Sequence, residues 1–275
     1  MNTLHLFFFS RGMRLFAAVV TVLLGCSIPA GIGFASDDAG SPAAKPNRPF
    51  HPGEKLTYTI SWSKVFSAGT AVMEVKKERT ERGRDVYRFL STARTTGMVD
   101  KVYSVRDVVH SLVDDRTLQS LSYDLKSNHG KKKKSRSVLF DHEEGKATYI
   151  AGGDEHIVEI PANTQDALSS LYYVRRHPEF IIGKSFVVDI FDSGKNWAVE
   201  VHVLARERIT TPVGEFDTIK VKTYPKFEGV FMHKGEIFIW LSDDSRRIPV
   251  LMKSTITIGS IVAALTEMKL GDESQ

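Results

Sequence analysis

Cysteine is nearly absent: Cys26 is the single thiol in 275 residues. One cysteine makes no internal disulfide and no cysteine metal cage, so the fold must be held by its core. Acids are missing from the first 36 residues, Asp37 being the first. The chain has no Gly-x-Ser-x-Gly, no His-Glu-x-x-His and no phosphate-binding glycine loop. The usual spacings of a serine hydrolase, a zinc peptidase and a nucleotide site are therefore missing. Strong charge of one sign is lacking too. The net charge is +4, and it falls to +2 if a leader carrying Arg11 and Arg14 and no acid is removed. Such balance is not the global footprint of a nucleic-acid binder.

What stands at the N-terminus is an export pattern. Arg11 and Arg14 precede the uncharged run Leu15–Leu24, and small residues follow. A positive flank, a short apolar stretch and a small-residue exit are the parts of a signal peptide, and the apolar run is short for a bilayer span. Two endings compete. Gly33-Phe34-Ala35 fits cleavage after Ala35, whereas Leu23-Leu24-Gly25-Cys26 fits a loose lipobox that makes Cys26 the lipidation candidate. The stretch after Cys26 stays apolar to Ala35, which favours cleavage. The sequence thus predicts a signal peptide over 1–35, a disordered spacer rich in Ser, Ala, Pro and Asp over 36–49, and one β-rich domain over 50–271. The expected location is the periplasm or the periplasmic face of the outer membrane.

Within the domain the period is two. Tyr58, Ile60 and Trp62 alternate with Thr57, Thr59 and Ser61; Trp197, Val199, Val201 and Val203 with Glu200 and His202; Ile219 and Val221 with Lys220 and Lys222. Ile237, Ile239 and Leu241 form another set. Alternation buries one face of each strand and points to antiparallel pairing. Glycine-bearing polar turns separate the strands, and Pro212 with Gly214 predicts a hairpin between Val201–Ile209 and Phe216–Val221. One segment has helical spacing instead, with Ala167, Leu168, Leu171 and Val174 on one side. Asn163 is the expected cap, Asp166 lies in the first turn, and Pro178 stops the helix. A shorter helix is expected near Met98–Tyr103. The fold class is mainly β: an antiparallel curled sheet or open β-barrel with one central α-helix across its mouth or inside it.

Polar clusters divide between chemistry and solvation. Asp141-His142-Glu143-Glu144 and Asp154-Glu155-His156 read as solvated hairpin ends rather than a metal site. Asp243-Asp244, followed by Arg246-Arg247, reads as a charged turn; its alternative is acid–base work on a glycan. No catalytic residue, cofactor or metal is assigned. Lys131, Lys132, Lys133 and Lys134, with Arg136, form the sharpest local charge. They suit a solvated hairpin tip or contact with an anionic envelope surface such as phospholipid or lipopolysaccharide. Phe180, Ile182, Phe227, Phe231 and Met232 lie in apolar segments without clean alternation, and are core plugs or the lining of a pocket.

Several blocks resemble a known family. They are Tyr58-Thr-Ile-Ser-Trp-Ser-Lys-Val-Phe-Ser-Ala-Gly69, Asp166-Ala-Leu-Ser-Ser-Leu-Tyr-Tyr173, Thr211-Pro-Val-Gly-Glu-Phe216, Trp240-Leu-Ser-Asp-Asp244 and Arg247-Ile-Pro-Val250. With Ile258-Gly-Ser-Ile-Val-Ala-Ala-Leu265 they are similar to the bacterial exported family called domain of unknown function 3108. The resemblance implies a β-rich envelope protein and carries no reaction and no catalytic residues. The sequence therefore predicts a non-enzymatic binder or carrier of an amphiphile, lipid or envelope glycan in a concave sheet. The alternatives are an envelope glycan hydrolase, or a structural or assembly factor at an anionic membrane surface with an envelope-protein partner. Nucleic acid is not an expected partner.

Overall fold

The computed structural model describes residues 48–62, 66–81, 83–227, 230–231, 236–256 and 259–272. The segments expected as signal peptide and spacer, up to residue 47, lie outside the described residues, and Cys26 with them. In chain order the elements are β1 (Lys55–Trp62), β2 (Phe66–Arg79), β3 (Asp85–Thr95), α1 (Gly97–Val102), β4 (Val105–Asp114), β5 (Ser120–His129), β6 (Lys132–Asp141), β7 (Lys146–Ala151) and β8 (Asp154–Glu159). After α2 (Ser169–Arg175) come β9 (Ser185–Asp192), β10 (Lys195–Thr211), β11 (Gly214–Phe227), β12 (Val230–Phe231), β13 (Glu236–Ser242), β14 (Pro249–Ile256) and β15 (Gly259–Lys269).

The strands form one antiparallel sheet in the order β8-β7-β6-β5-β4-β3-β2-β1-β15-β14-β13-β11-β10-β9, with β12 beside β11. Nearly every neighbour in this order is also a neighbour in sequence, so most connections are hairpins. The expected alternation sets the inner face. Leu56, Tyr58 and Ile60 of β1, Val199, Val201 and Val203 of β10, and Ile261, Ala263 and Leu265 of β15 are all buried in one cluster. Where β2 and β3 come closest only glycine fits: a Cβ on Gly69 would stand 2.2 Å from the Arg94 carbonyl oxygen.

The sheet curls without a backbone ladder between its two edges, β8 and β9. Side chains close the seam. Phe191 at the end of β9 packs edge-on against Phe140 of β6 and Tyr149 of β7, at 6.1 and 6.4 Å between ring centres. Asn196 Nδ2 donates to the Glu159 carbonyl of β8 at 2.6 Å. The result is an open, barrel-like roll.

Helix α2 is shorter than the sequence periodicity suggests. Instead of starting at Asn163, which has φ 60°, the helix begins at Ser169. The preceding residues are taken by tertiary bonds. Gln165 N–H donates to the Asp189 carbonyl and Phe191 N–H to the Gln165 carbonyl, both at 2.8 Å, which stitches this segment to β9. Asp166 then supplies the cap, its Oδ1 accepting from the amides of Leu168 and Ser169 at 2.8 and 2.9 Å. Helix α1 stands close to where it was expected.

Candidate binding mouth and rim

Helix α2 lies against one end of the curled sheet. Its Tyr172 ring stacks on Phe89 of β3 at 3.7 Å between centres, and Phe50 meets both rings edge-on. Arg175, almost fully buried, makes a two-pronged pair with Glu54 at 2.7 and 2.8 Å, and its second arm also donates to the Pro49 carbonyl at 3.0 Å. Glu54 immediately precedes β1, so this is the N-terminal end of that strand. Asp166 has no solvent access, and its Oδ2 accepts from Ser111 of β4 and Ser120 of β5 at 2.6 and 2.7 Å. Burial pushes the Asp166 carboxyl above its ordinary range, against the pull of these donors.

The other end of the inner face is differently lined. Trp62 closes β1 at that end, seven residues beyond Lys55 and hence roughly 23 Å along the strand. Across the ladder, Trp62 faces Ile261, Ile261 faces Ser254, and Ser254 faces Ile237. Trp62, Ile237 and, one step deeper, Met252 point inward, pack against the apolar core and are only partly buried. This is an apolar arc on β1, β13 and β14.

A polar arc lies across β4, β5 and β6. Asp107 is buried with His129 Nε2 at 2.8 Å from its Oδ1, and the same nitrogen is 2.9 Å from Ser127 Oγ. Burial raises the Asp107 carboxyl above its usual range, and the facing imidazole opposes this. Arg136 of β6 sits in phase with the buried Val138 and Phe140 and is 15 % exposed. Its Nη2 is 3.4 Å from Asp192 Oδ1 and its Nη1 donates to Ser193. Asp192 is likewise raised by burial, with Arg136 pulling the other way.

The residues that sequence reasoning singled out fall in separate places. Phe180 is buried at the α2 end, where the Arg247 guanidinium lies 4.4 Å from its ring centre. Ile182 is exposed in the adjoining turn. Met232 and the side chains of Phe227 and Phe231 lie outside the described residues. Lys132, Lys133 and Lys134 stand at the start of β6, with Lys131 in the turn after Gly130, and all four are exposed. Arg136 parts company with them by turning inward. Asp243 and Asp244 serve the β13–β14 turn. Asp243 accepts from Arg206 at 2.6 Å, and Asp244 accepts from Ser242 Oγ at 2.6 Å and from the amides of Arg246 and Arg247. His142 sits in the β6–β7 turn and His156 within β8 opposite Tyr149, and the two clusters do not combine into one site. Among the described residues no group of three or more His, Cys, Asp or Glu is arranged to hold a metal ion.

Asp107, His129 and inward Arg136 were missed as a group. The available signal was phase: Asp107 shares the parity of Val105 and Val109, and a charge on an apolar parity marks a buried polar site.

The fold is similar to that of a β-barrel-like protein of domain of unknown function DUF1849 from Brucella abortus. The TM-score is 0.53 and the identity 12 %, over 81 % of this chain and 99 % of that one. More distant matches are a protein from Parabacteroides distasonis described as a "putative lipoprotein" and one from Bacteroides fragilis described as a "putative exported protein with YmcC-like fold". Their TM-scores are 0.32 and 0.31 and their identities 13 % and 14 %, each over 80 % of this chain and 98 % of the other. No curated protein matches the sequence. Residues 57–266 match the family described as "Protein of unknown function (DUF3108)", and the chain belongs to that family.

Proposed function

We propose that this chain is an exported, non-catalytic envelope protein that takes up an amphiphile at the mouth opposite α2, apolar part against Trp62, Ile237 and Met252. One observation carries the reading: inward, apolar side chains stay part-exposed at that end, while the α2 end is packed with stacked rings and a buried ion pair. Part-exposed apolar surface inside a curled sheet costs free energy in water and is regained when an acyl chain covers it. The buried charges of the Asp107–His129–Arg136 arc suit a polar head on the facing side. Export is supported by the basic flank, apolar run and small-residue exit of residues 11–35. Asp243 and Asp244 are engaged in turn and ion-pair contacts, which speaks against acid–base work on a glycan at that turn.

The test is uptake of a fluorescent fatty acid, together with mass spectrometry of organic extracts of the protein purified from its host. Saturable uptake is expected, and Ile237→Trp or Met252→Trp should weaken it about tenfold, equivalent to about 1.4 kcal/mol. Extracts without lipid, together with no uptake by the parent protein, would refute the proposal.

A further inference from the structure

We infer that the rim formed by α1 and the β5–β6 hairpin is a docking surface for an anionic phospholipid membrane. The inference is independent of the mouth. Two elements meet there. Gly130 N–H donates to the Ser104 carbonyl at 2.8 Å, so the turn of the hairpin abuts the exit of α1. Gly130 has φ 57° and backs onto the Tyr103 ring, where an added Cβ would lie 3.5 Å from Cε2. Helix α1 has no buried residue, and it displays Met98 and Val102, 74 % and 63 % exposed. Its single acid is neutralised: Asp100 accepts from both arms of Arg106 at 2.6 and 2.9 Å and from Thr95 at 2.6 Å.

The cations beside these apolar tips are left without counter-charge. Lys101 and Lys131–Lys134 are exposed and have no ion pair among the described residues. The hairpin also projects. Arg136 is opposite Ala151, and Ala151 is opposite Asp154, so the neighbouring β7–β8 turn ends at that level. Lys134 to Lys132 lie two to four residues further out, roughly 7–13 Å. The acids at the start of β8, Asp154 and Glu155, are therefore set back from the lysine tip. Two apolar side chains flanked by Lys101 and the four lysines of the projecting hairpin complement a bilayer with anionic headgroups. Near such a surface each lysine contributes about 1 kcal/mol, a roughly fivefold change in affinity, and the attraction decays within a Debye length. The rim points away from Arg48 and Pro49, where the described chain enters beside Arg175.

The test is co-sedimentation of the full chain with phosphatidylglycerol–phosphatidylcholine vesicles and with pure phosphatidylcholine vesicles. The apolar N-terminal run contributes equally to parent and variants, so the comparison isolates the rim. Replacing Lys131–Lys134 together by serine should lower affinity for the anionic vesicles on the order of a hundredfold. It should leave binding to the neutral ones and the circular dichroism spectrum unchanged. Raising salt from about 0.05 to 0.5 M should remove most of the parent's preference. In Met98→Trp, the added indole should shift its emission to the blue on anionic vesicles. Equal binding by parent and serine variant, or no blue shift on vesicles that bind the protein, overturns the proposal. A parent that ignores anionic vesicles at low salt overturns it too.

Discussion

The Asp166 carboxylate is sealed from water, and its two oxygens accept four hydrogen bonds, two from hydroxyls and two from amides. Two of the donors belong to neighbouring strands β4 and β5 and two to the entry of α2, so one side chain fixes the helix to the sheet. Removing it strands several buried donors at once, and each unmade bond costs about 1–3 kcal/mol. Asp166→Ala should therefore destabilise the protein by about 3 kcal/mol or more, read from urea unfolding. Asp166→Asn keeps an oxygen for the two amides, and its other end can accept nothing from Ser111 and Ser120. The hydroxyls can, however, turn to accept from the new amide. It should cost about half as much. Equal losses in the two variants would show that shape rather than hydrogen bonding holds the site.

At the scale of elements, α2 is seven residues long and too short to persist alone. Its contacts hold it: the Tyr172–Phe89 stack and the Arg175–Glu54 pair, both buried. Breaking one half of a buried pair leaves an uncompensated charge and costs about 3–5 kcal/mol. Arg175→Met and Glu54→Leu should each lose stability of that order. The double variant should lose less than the sum, with a coupling of about 2 kcal/mol. Additive losses would mean that the charges do not sense each other.

The same helix shows where sequence reading stops. Its apolar spacing was legible, as were the Pro212–Gly214 hairpin and the strand alternation, because all of these are written in local periodicity. Its start was not, because the amide of Gln165 is claimed by Asp189, far along the chain. The outer face of β13 was also hidden. Trp240 is buried there with Leu251 and Val262, and Ile209 of β10 packs over them. A register shift between Val203 and Ala205 changes the parity of β10 and turns Glu207 and Ile209 onto that face. A bulge of this kind leaves no periodic trace. The unbroken apolar run Ile237–Leu241 did carry a hint, since a strand covered on both faces does not alternate.

At the scale of the molecule, a sheet of this width must do something with its two edges. β8 keeps its edge exposed and acidic, with Asp154, Glu155 and Glu159, which discourages pairing with another chain. β9 meets the Gln165 segment through two backbone bonds, and beyond them the seam depends on a few side chains rather than on a ladder. Arg136 is the charged member of that closure, reaching Asp192 and Ser193 across the gap, with the Tyr149–Phe191 contact beside it. Elements joined in this way open at lower free energy than those within a continuous ladder. Arg136→Met keeps the apolar stem but abandons Asp192 in a buried site. It should therefore speed hydrogen exchange of the β8 and β9 amides well before those of β2 and β3, at the centre of the sheet. Exchange that quickens uniformly would show that the roll opens as one cooperative unit, and that the seam is no weaker than the ladders beside it.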